Sequence, residues 1–178
     1  LDDGPDLEAL ERELDEGIKM YYAVPNFQNP TGITYSLKKR QEVARLLSDY
    51  GVVFIEDDPY GLLRFENSPI PTLNEIDPGN PRIFAVRTFS KILAPGLRVG
   101  WVDADPSLQH LLINAKQAMD TCTSVPAQRT VTDFLARTEP VHTVVRFNGG
   151  AQAGHNVVLP DGRHHTFAQF GSGMLVQG

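Results

Sequence analysis

Residues 52–55, Val-Val-Phe-Ile, constrain this chain more than any other stretch. Four consecutive β-branched or aromatic apolar residues present no polar face to water. They predict a strand covered on both sides, of the kind found in parallel sheets with helices packed over them. The flanking sequence fits that demand. Ser36 offers an N-cap, apolar residues at 37, 43, 46 and 47 predict a helix to about Tyr50, and Gly51 supplies its stop. Upstream, leucines at 7, 10 and 14 with acidic residues in the first turn predict a helix over 5–16, closed by Gly17. Ile18 to Val24 predicts a short buried strand, and Pro25 to Gly32 is loop chemistry. Downstream, strands are predicted from Ile83 to Val86 and Val99 to Val102, and helices over 106–120 and 126–137. Strand, loop, helix, strand in this order predicts the α/β class, with a mixed, mostly parallel sheet and crossover helices. In such sheets ligands collect at the carboxyl ends of the strands.

The bulk numbers narrow the function classes. A chain of 178 residues with 41% apolar and 21% charged residues matches a globular domain of ordinary size. A formal charge of −6 argues against nucleic acid or an anionic membrane as the main partner. No apolar run reaches membrane-spanning length, and no basic segment followed by an apolar one opens the chain. The single cysteine, Cys122, excludes an internal disulfide framework and cysteine-based metal clusters, so no metal is expected and a cytoplasmic location is.

Three loops following predicted strands carry the chemistry. They are Pro25-Asn26-Phe27-Gln28-Asn29-Pro30-Thr31-Gly32, then Glu56-Asp57-Asp58-Pro59-Tyr60, then Thr88-Phe89-Ser90-Lys91 continuing to Ala94-Pro95-Gly96-Leu97-Arg98. Singly, each has a plainer reading: an asparagine satisfying its own turn, carboxylates capping a helix, a solvated lysine and arginine. Together, in this order, they resemble the fold-type I pyridoxal-phosphate aminotransferases of classes I and II. The wording of the first two loops is most similar to the branch holding aminoadipate and aromatic aminotransferases and the aminotransferase-like domains of MocR regulators. The resemblance covers residues 1 to about 129 and implies a partial large domain of that fold.

The resemblance implies pyridoxal 5'-phosphate as cofactor and an amino acid and a 2-oxo acid as partners. By motif position, Asp57 rather than Asp58 would hold the proton on the ring nitrogen, where an opposite charge favours the protonated form. Asn29 and Tyr60 would bond the ring's phenolic oxygen. Lys91 would hold the cofactor covalently and move a proton during the reaction, made possible by burial and nearby cations that favour its neutral amine. Arg98 would clamp the phosphate, with Thr88 and Ser90 as hydroxyl donors. Catalysis is thus expected of Lys91, Tyr60 and Asp57. Trp101 is expected in the core. The family's upstream glycine- and serine-containing phosphate loop, its stacking aromatic and its C-terminal small domain have no counterpart in these residues, so little turnover is expected. The family is homodimeric.

After about residue 140 the character changes. Four of the five histidines lie there, but of the 22 acidic residues only Asp161 does. Short β runs over 143–147, 155–159 and 165–170 alternate with glycine-rich turns, and Asp161-Gly162 signals a hairpin. The stretch Gly149-Gly150-Ala151-Gln152-Ala153-Gly154-His155 resembles the N-terminal region of adenylosuccinate synthetase, as does Phe170-Gly171-Ser172-Gly173. That resemblance covers about 130–178 and implies a nucleotide-site remnant at Gln152, Gly154 and His155. The synthetase's phosphate loop is absent from the sequence. Two alternatives to a transaminase follow: a nucleotide-handling ligase function in the C-terminal part, and a non-catalytic cofactor-binding regulatory module of the MocR kind.

Overall fold

Asp6 caps the first helix: its carboxylate accepts from the backbone of Glu8 at 3.0 Å and Ala9 at 3.1 Å, satisfying donors the helix cannot. The computed structural model describes residues 3–64, 66–120 and 123–137, and beyond them the backbone of four strands. The chain divides into two compact units, Leu1–Val86 and Arg87–Gly178.

The first unit contains α1 (Leu7–Asp15), β1 (Met20–Ala23), α2 (Leu37–Tyr50), β2 (Val53–Asp57), the short helix α3 (Leu73–Ile76) and most of β3 (Ile83–Thr88). Ser36 accepts from Lys39 N at 3.2 Å to start α2, and Gly51 ends it in the left-handed region at φ 65°, as the sequence predicted. β2 pairs in parallel with β1 on one side and β3 on the other, Phe54 opposite both Tyr21 and Ile83.

That register sorts the side chains. Tyr21, Ala23, Phe54, Glu56, Ile83 and Ala85 share one face. Tyr21, Ala23, Phe54 and Ile83 among them join Leu10, Leu14, Val43, Ala44, Leu46 and Leu47 from α1 and α2. Tyr22, Ile55, Asp57, Phe84 and Val86 share the other. The expectation of strands covered on both sides therefore needs correction within this unit. Burial alternates along β2, and on β1 Met20 and Tyr22 are 56% and 55% exposed, because α1 and α2 cover one face alone. Leu37, counted with the apolar stripe of α2, is likewise exposed, lying in the first turn ahead of the buried stretch.

The second unit opens with the end of β3 and continues through β4 (Gly100–Asp103), α4 (Gln109–Met119) and α5 (Val125–Arg137). Phe89, Val99 and Val131 are buried together, with Trp101 packed on Phe89 at 4.7 Å between ring centroids. The strands β5 (Arg146–Gly149), β6 (Gly154–Val158), β7 (His164–Phe170) and β8 (Gly173–Gln177) form an antiparallel succession, and β8 pairs in parallel with β4. The three predicted β runs overlap β5, β6 and β7; β8 was not anticipated. The Asp161-Gly162 turn lies outside the described residues. Position 129, where the sequence suggests a change of kinship, falls inside α5. Among the described residues no helix is long and apolar enough to cross a membrane.

Gly100 shows how closely two strands approach here: a Cβ on it would lie 2.6 Å from the carbonyl oxygen of Arg87. Backbone cannot yield as a side-chain tip can. Gly100→Ala is expected to cost roughly 1–3 kcal/mol, the range for overpacking. Thermal melts of wild type and variant check this, and an unchanged midpoint would contradict the contact.

Candidate functional site

The loop after β1 is held from within. Phe27 N donates to Thr34 Oγ1 at 3.0 Å, Gln28 N to the Ile33 carbonyl at 2.9 Å, and Thr31 N and Oγ1 to Gln28 Oε1 at 3.1 and 2.6 Å. The Gln28 amide donates to the Asn29 carbonyl at 2.6 Å, and the Asn29-Pro30 bond is cis. The turn's polar needs are thus met by Gln28, Thr31 and Thr34. The Asn29 carboxamide is exposed and makes no hydrogen bond among the described residues. An asparagine spent on its own turn is not what the geometry contains.

Both ends of this loop are tied to one buried cation. Arg40, fully buried on α2, donates to the carbonyls of Tyr35, Pro71 and Pro25, each at 3.2 Å, and to Asn26 Oδ1 at 2.7 Å. Its guanidinium lies 3.7 Å from Glu56, also fully buried, whose other oxygen accepts from Leu73 N at 3.1 Å. Glu56 directly precedes Asp57. One ion pair thus joins the loop carrying Asn29 to the strand end carrying Asp57.

The two adjacent carboxylates do different things. Asp58 Oδ1 accepts from Gly61 N at 2.7 Å, and a Cβ on Gly61 would come within 2.2 Å of the same carboxylate. Asp58 is therefore committed to the turn that leads into a short 3-10 segment, Gly61–Leu63. Asp57 is the last residue of β2, and its Oδ2 accepts from the Tyr22 hydroxyl at 2.5 Å. That bond to Asp57, with lesser help from burial and from Tyr60, pushes the Tyr22 hydroxyl up to about 12. Tyr60 is half-buried, and its hydroxyl makes no hydrogen bond among the described residues.

In the second unit the third loop gathers donors. Thr88 ends β3, and Phe89 after it is buried while Thr88 and Ser90 on either side are half-buried. Thr88 Oγ1 donates to Ser90 Oγ at 2.9 Å and accepts from Ser90 N at 3.0 Å. Arg98 Nη1 donates to Ser90 Oγ at 3.2 Å and to the Pro95 carbonyl at 3.2 Å. Arg98 holds φ 53°, uncommon for a residue with a side chain, at the end of the 3-10 segment Pro95–Leu97. Two hydroxyls and a guanidinium so clustered form a ready site for an anionic group with several oxygens. Lys91 stands on the turn where Leu93 N and Ala94 N both donate to the Phe89 carbonyl, at 2.9 and 3.1 Å. The lysine is exposed and makes no hydrogen bond or ion pair among the described residues. The burial expected to favour its neutral form is not provided by this stretch.

The expected site residues thus fall into two sets: Asn29, Asp57 and Tyr60 in the first unit, Thr88, Ser90, Lys91 and Arg98 in the second. Gln152 lies outside the described residues. Gly154 and His155 belong to β6, of which only the backbone is described. The sequence reading missed Tyr22, Asn26, Arg40 and Glu56. Arg40 carried a readable signal, since it falls with 43, 44 and 47 on the apolar stripe of α2, where a cation implies a buried partner.

The sequence matches the family Aminotransferase class I and II over residues 2–148. It is 39% identical to aromatic-amino-acid aminotransferase 1 of Thermococcus litoralis, over 71% of this chain and 32% of that protein. It is 36% identical to the HTH-type transcriptional regulator YdcR of Escherichia coli, over 75% of this chain and 28% of that one. In structure it is similar to LysN, the α-aminoadipate aminotransferase of Thermus thermophilus solved with N-(5'-phosphopyridoxyl)-L-leucine. The TM-score is 0.71 at 35% identity, covering 77% of this chain and 36% of that one. The chain therefore spans about a third of the length of the aminotransferases it matches. The family match runs past residue 129, and nothing in these comparisons supports the adenylosuccinate synthetase resemblance.

Proposed function

We propose that this chain, which belongs to the class I and II aminotransferase family, carries the pyridoxal-phosphate-binding segment of an enzyme that moves amino groups between amino acids and 2-oxo acids. The observation that carries the reading is the Thr88, Ser90 and Arg98 cluster on the same loop as an uncommitted Lys91. Arg98 supplies the planar fork suited to a phosphate dianion, and Thr88 and Ser90 add hydroxyl donors. Lys91 supplies the amine that holds the cofactor aldehyde, and afterwards a base to carry a proton. Asp57, with Oδ2 taken by Tyr22 and Asp58 taken by a turn, offers its remaining oxygen to the ring nitrogen. Asn29 and Tyr60 have polar groups uncommitted by the loops that present them, in keeping with bonds to the ring's phenolic oxygen. When bound, the cofactor supplies an electron sink for charge developing at the substrate α-carbon.

The chain spans about a third of its aminotransferase relatives, and cofactor binding is the part of their chemistry proposed for these 178 residues. A homodimeric parent in the cytoplasm is proposed with it, on the family resemblance. The similarity to YdcR favours one second reading, a regulatory module that binds the cofactor without transamination. Amino-group transfer by the full-length parent would exclude it. The change of kinship near residue 129 also stands as a proposal, resting on the shift in composition and the Gly-Gly-x-x-Ala-Gly-His stretch. Reading the coding DNA through that point in one molecule tests it, and a continuous aminotransferase sequence in its place would end it.

The main test is chemical. The chain is incubated with pyridoxal phosphate, reduced with borohydride and digested. The label should concentrate on the peptide containing Lys91. Label spread evenly over Lys19, Lys38, Lys39 and Lys116 as well would overturn the assignment.

A further inference from the structure

We propose that Tyr22 is a positioning residue for Asp57, fixing which carboxylate oxygen remains for the cofactor ring. This rests on the reading of Asp57 given above. The pairing is dictated by the parallel register, in which Tyr22 lies opposite Ile55. Side chains alternate, so Tyr22, Ile55 and Asp57 share a face, and Asp57 is the diagonal neighbour of Tyr22. A tyrosine is long enough to cover that diagonal, and its hydroxyl reaches Oδ2 at 2.5 Å. Nothing else among the described residues hydrogen-bonds the Asp57 side chain. A carboxylate at the end of a strand, held at one oxygen, can no longer rotate freely about its last torsion. Tyr22 thereby leaves Oδ1 as the oxygen available to a ring nitrogen and holds its direction before the ring arrives. A phenylalanine would keep the packing and lose the tether.

Two properties separate this role from a decorative surface contact. The first is the titration of Tyr22 itself, which the bond to Asp57 pushes up to about 12 while its ring stays largely exposed. Burial and Tyr60 are lesser causes, so most of the shift should go when the carboxylate is removed. The second is non-additivity, since Tyr22 can matter to the cofactor only through Asp57.

The experiment uses the full chain with 13C-labelled tyrosine, the Tyr22 signal being identified by its absence in Tyr22→Phe. In the cofactor-free protein that signal should stay unmoved through pH 10, and in Asp57→Ala it should titrate well below the wild-type value, towards the ordinary tyrosine value of 10.0. Affinity for pyridoxal phosphate should fall about fivefold to tenfold in Tyr22→Phe, the size of one ordinary hydrogen bond's contribution, lost through the orientation of Asp57. In the Asp57→Ala background the same change should have no effect. A wild-type Tyr22 titrating at 10.0, or equal losses in both backgrounds, would overturn the role. Failure of the wild-type chain to label at Lys91 is a different result and would count against the cofactor reading, which the cofactor-free titration does not need.

Discussion

Replacing Arg40 with methionine is expected to destabilise the first unit by about 3–5 kcal/mol, the cost of breaking a buried ion pair by removing one member. The side chains of Arg40 and Glu56 are both 0% exposed, so the charge left on Glu56 would have no access to water. Four acceptors would lose a donor at once: the carbonyls of Pro25, Tyr35 and Pro71, and Asn26 Oδ1. Methionine matches the length of the lost stem, so packing is largely kept and the effect is electrostatic. A domain of this size has about 5–15 kcal/mol in hand, so the single variant should remain foldable yet melt well below wild type. The partner change distinguishes this account from a simple loss of fit. In Arg40→Met/Glu56→Gln the buried negative charge is gone as well, and the glutamine can still accept from Leu73 N. The double variant should therefore recover part of the loss, and denaturant melts of all four proteins measure that coupling. A double variant as unstable as the sum of the singles would sink the argument. Loosening should be greatest in the loop that Arg40 ties at both ends, with amide exchange at Gln28 and Gly32 faster than in β2.

What was legible in the sequence follows from what is local. Caps and stops at Ser36, Gly17 and Gly51 depend on neighbours a few residues away, and they could be read directly. The burial of β1 depends on what covers its second face, which no local pattern encodes. Tyr22 therefore read as part of a buried apolar run and proved exposed. The contact from Tyr22 to Asp57 spans 35 positions and exists only once the parallel register is known. Motif order identified the residues of the cofactor loops without giving their commitments. That Asp58 serves its own turn and Asp57 does not became visible only in the bond to Gly61. Arg40 was the recoverable omission. It lies on the apolar stripe of α2, and an apolar stripe interrupted by arginine asks for an acid nearby in space. Glu56, alternating onto the core face of β2, was the available answer.

The second large effect concerns the cofactor and separates two jobs that one loop performs. Lys91→Ala should abolish the borohydride-stable label at low cofactor concentration, since no other lysine shares a loop with the clustered phosphate donors. It should leave the binding of pyridoxine 5'-phosphate, which has no aldehyde, unchanged. Arg98 should behave in the opposite way. Its Nη1 bonds Ser90 Oγ at 3.2 Å, so removing it takes away both a charge and the group that orients a hydroxyl. Arg98→Asn is the better variant, because asparagine tolerates the left-handed backbone that Arg98 holds at φ 53°. A charge-assisted contact to phosphate contributes about 1.5–3 kcal/mol, and the exposure of Arg98 places its share at the lower end. Pyridoxine 5'-phosphate should then bind about tenfold more weakly, and labelling of Lys91 should need correspondingly more pyridoxal phosphate. Pyridoxal without its phosphate should label Lys91 in wild type and in Arg98→Asn alike. Labelling that survives Lys91→Ala, or phosphate affinity that ignores Arg98, would show that the loop only resembles a cofactor site. The crossed pattern requires both residues to act on one ligand through different atoms, the amine on its aldehyde and the guanidinium on its phosphate.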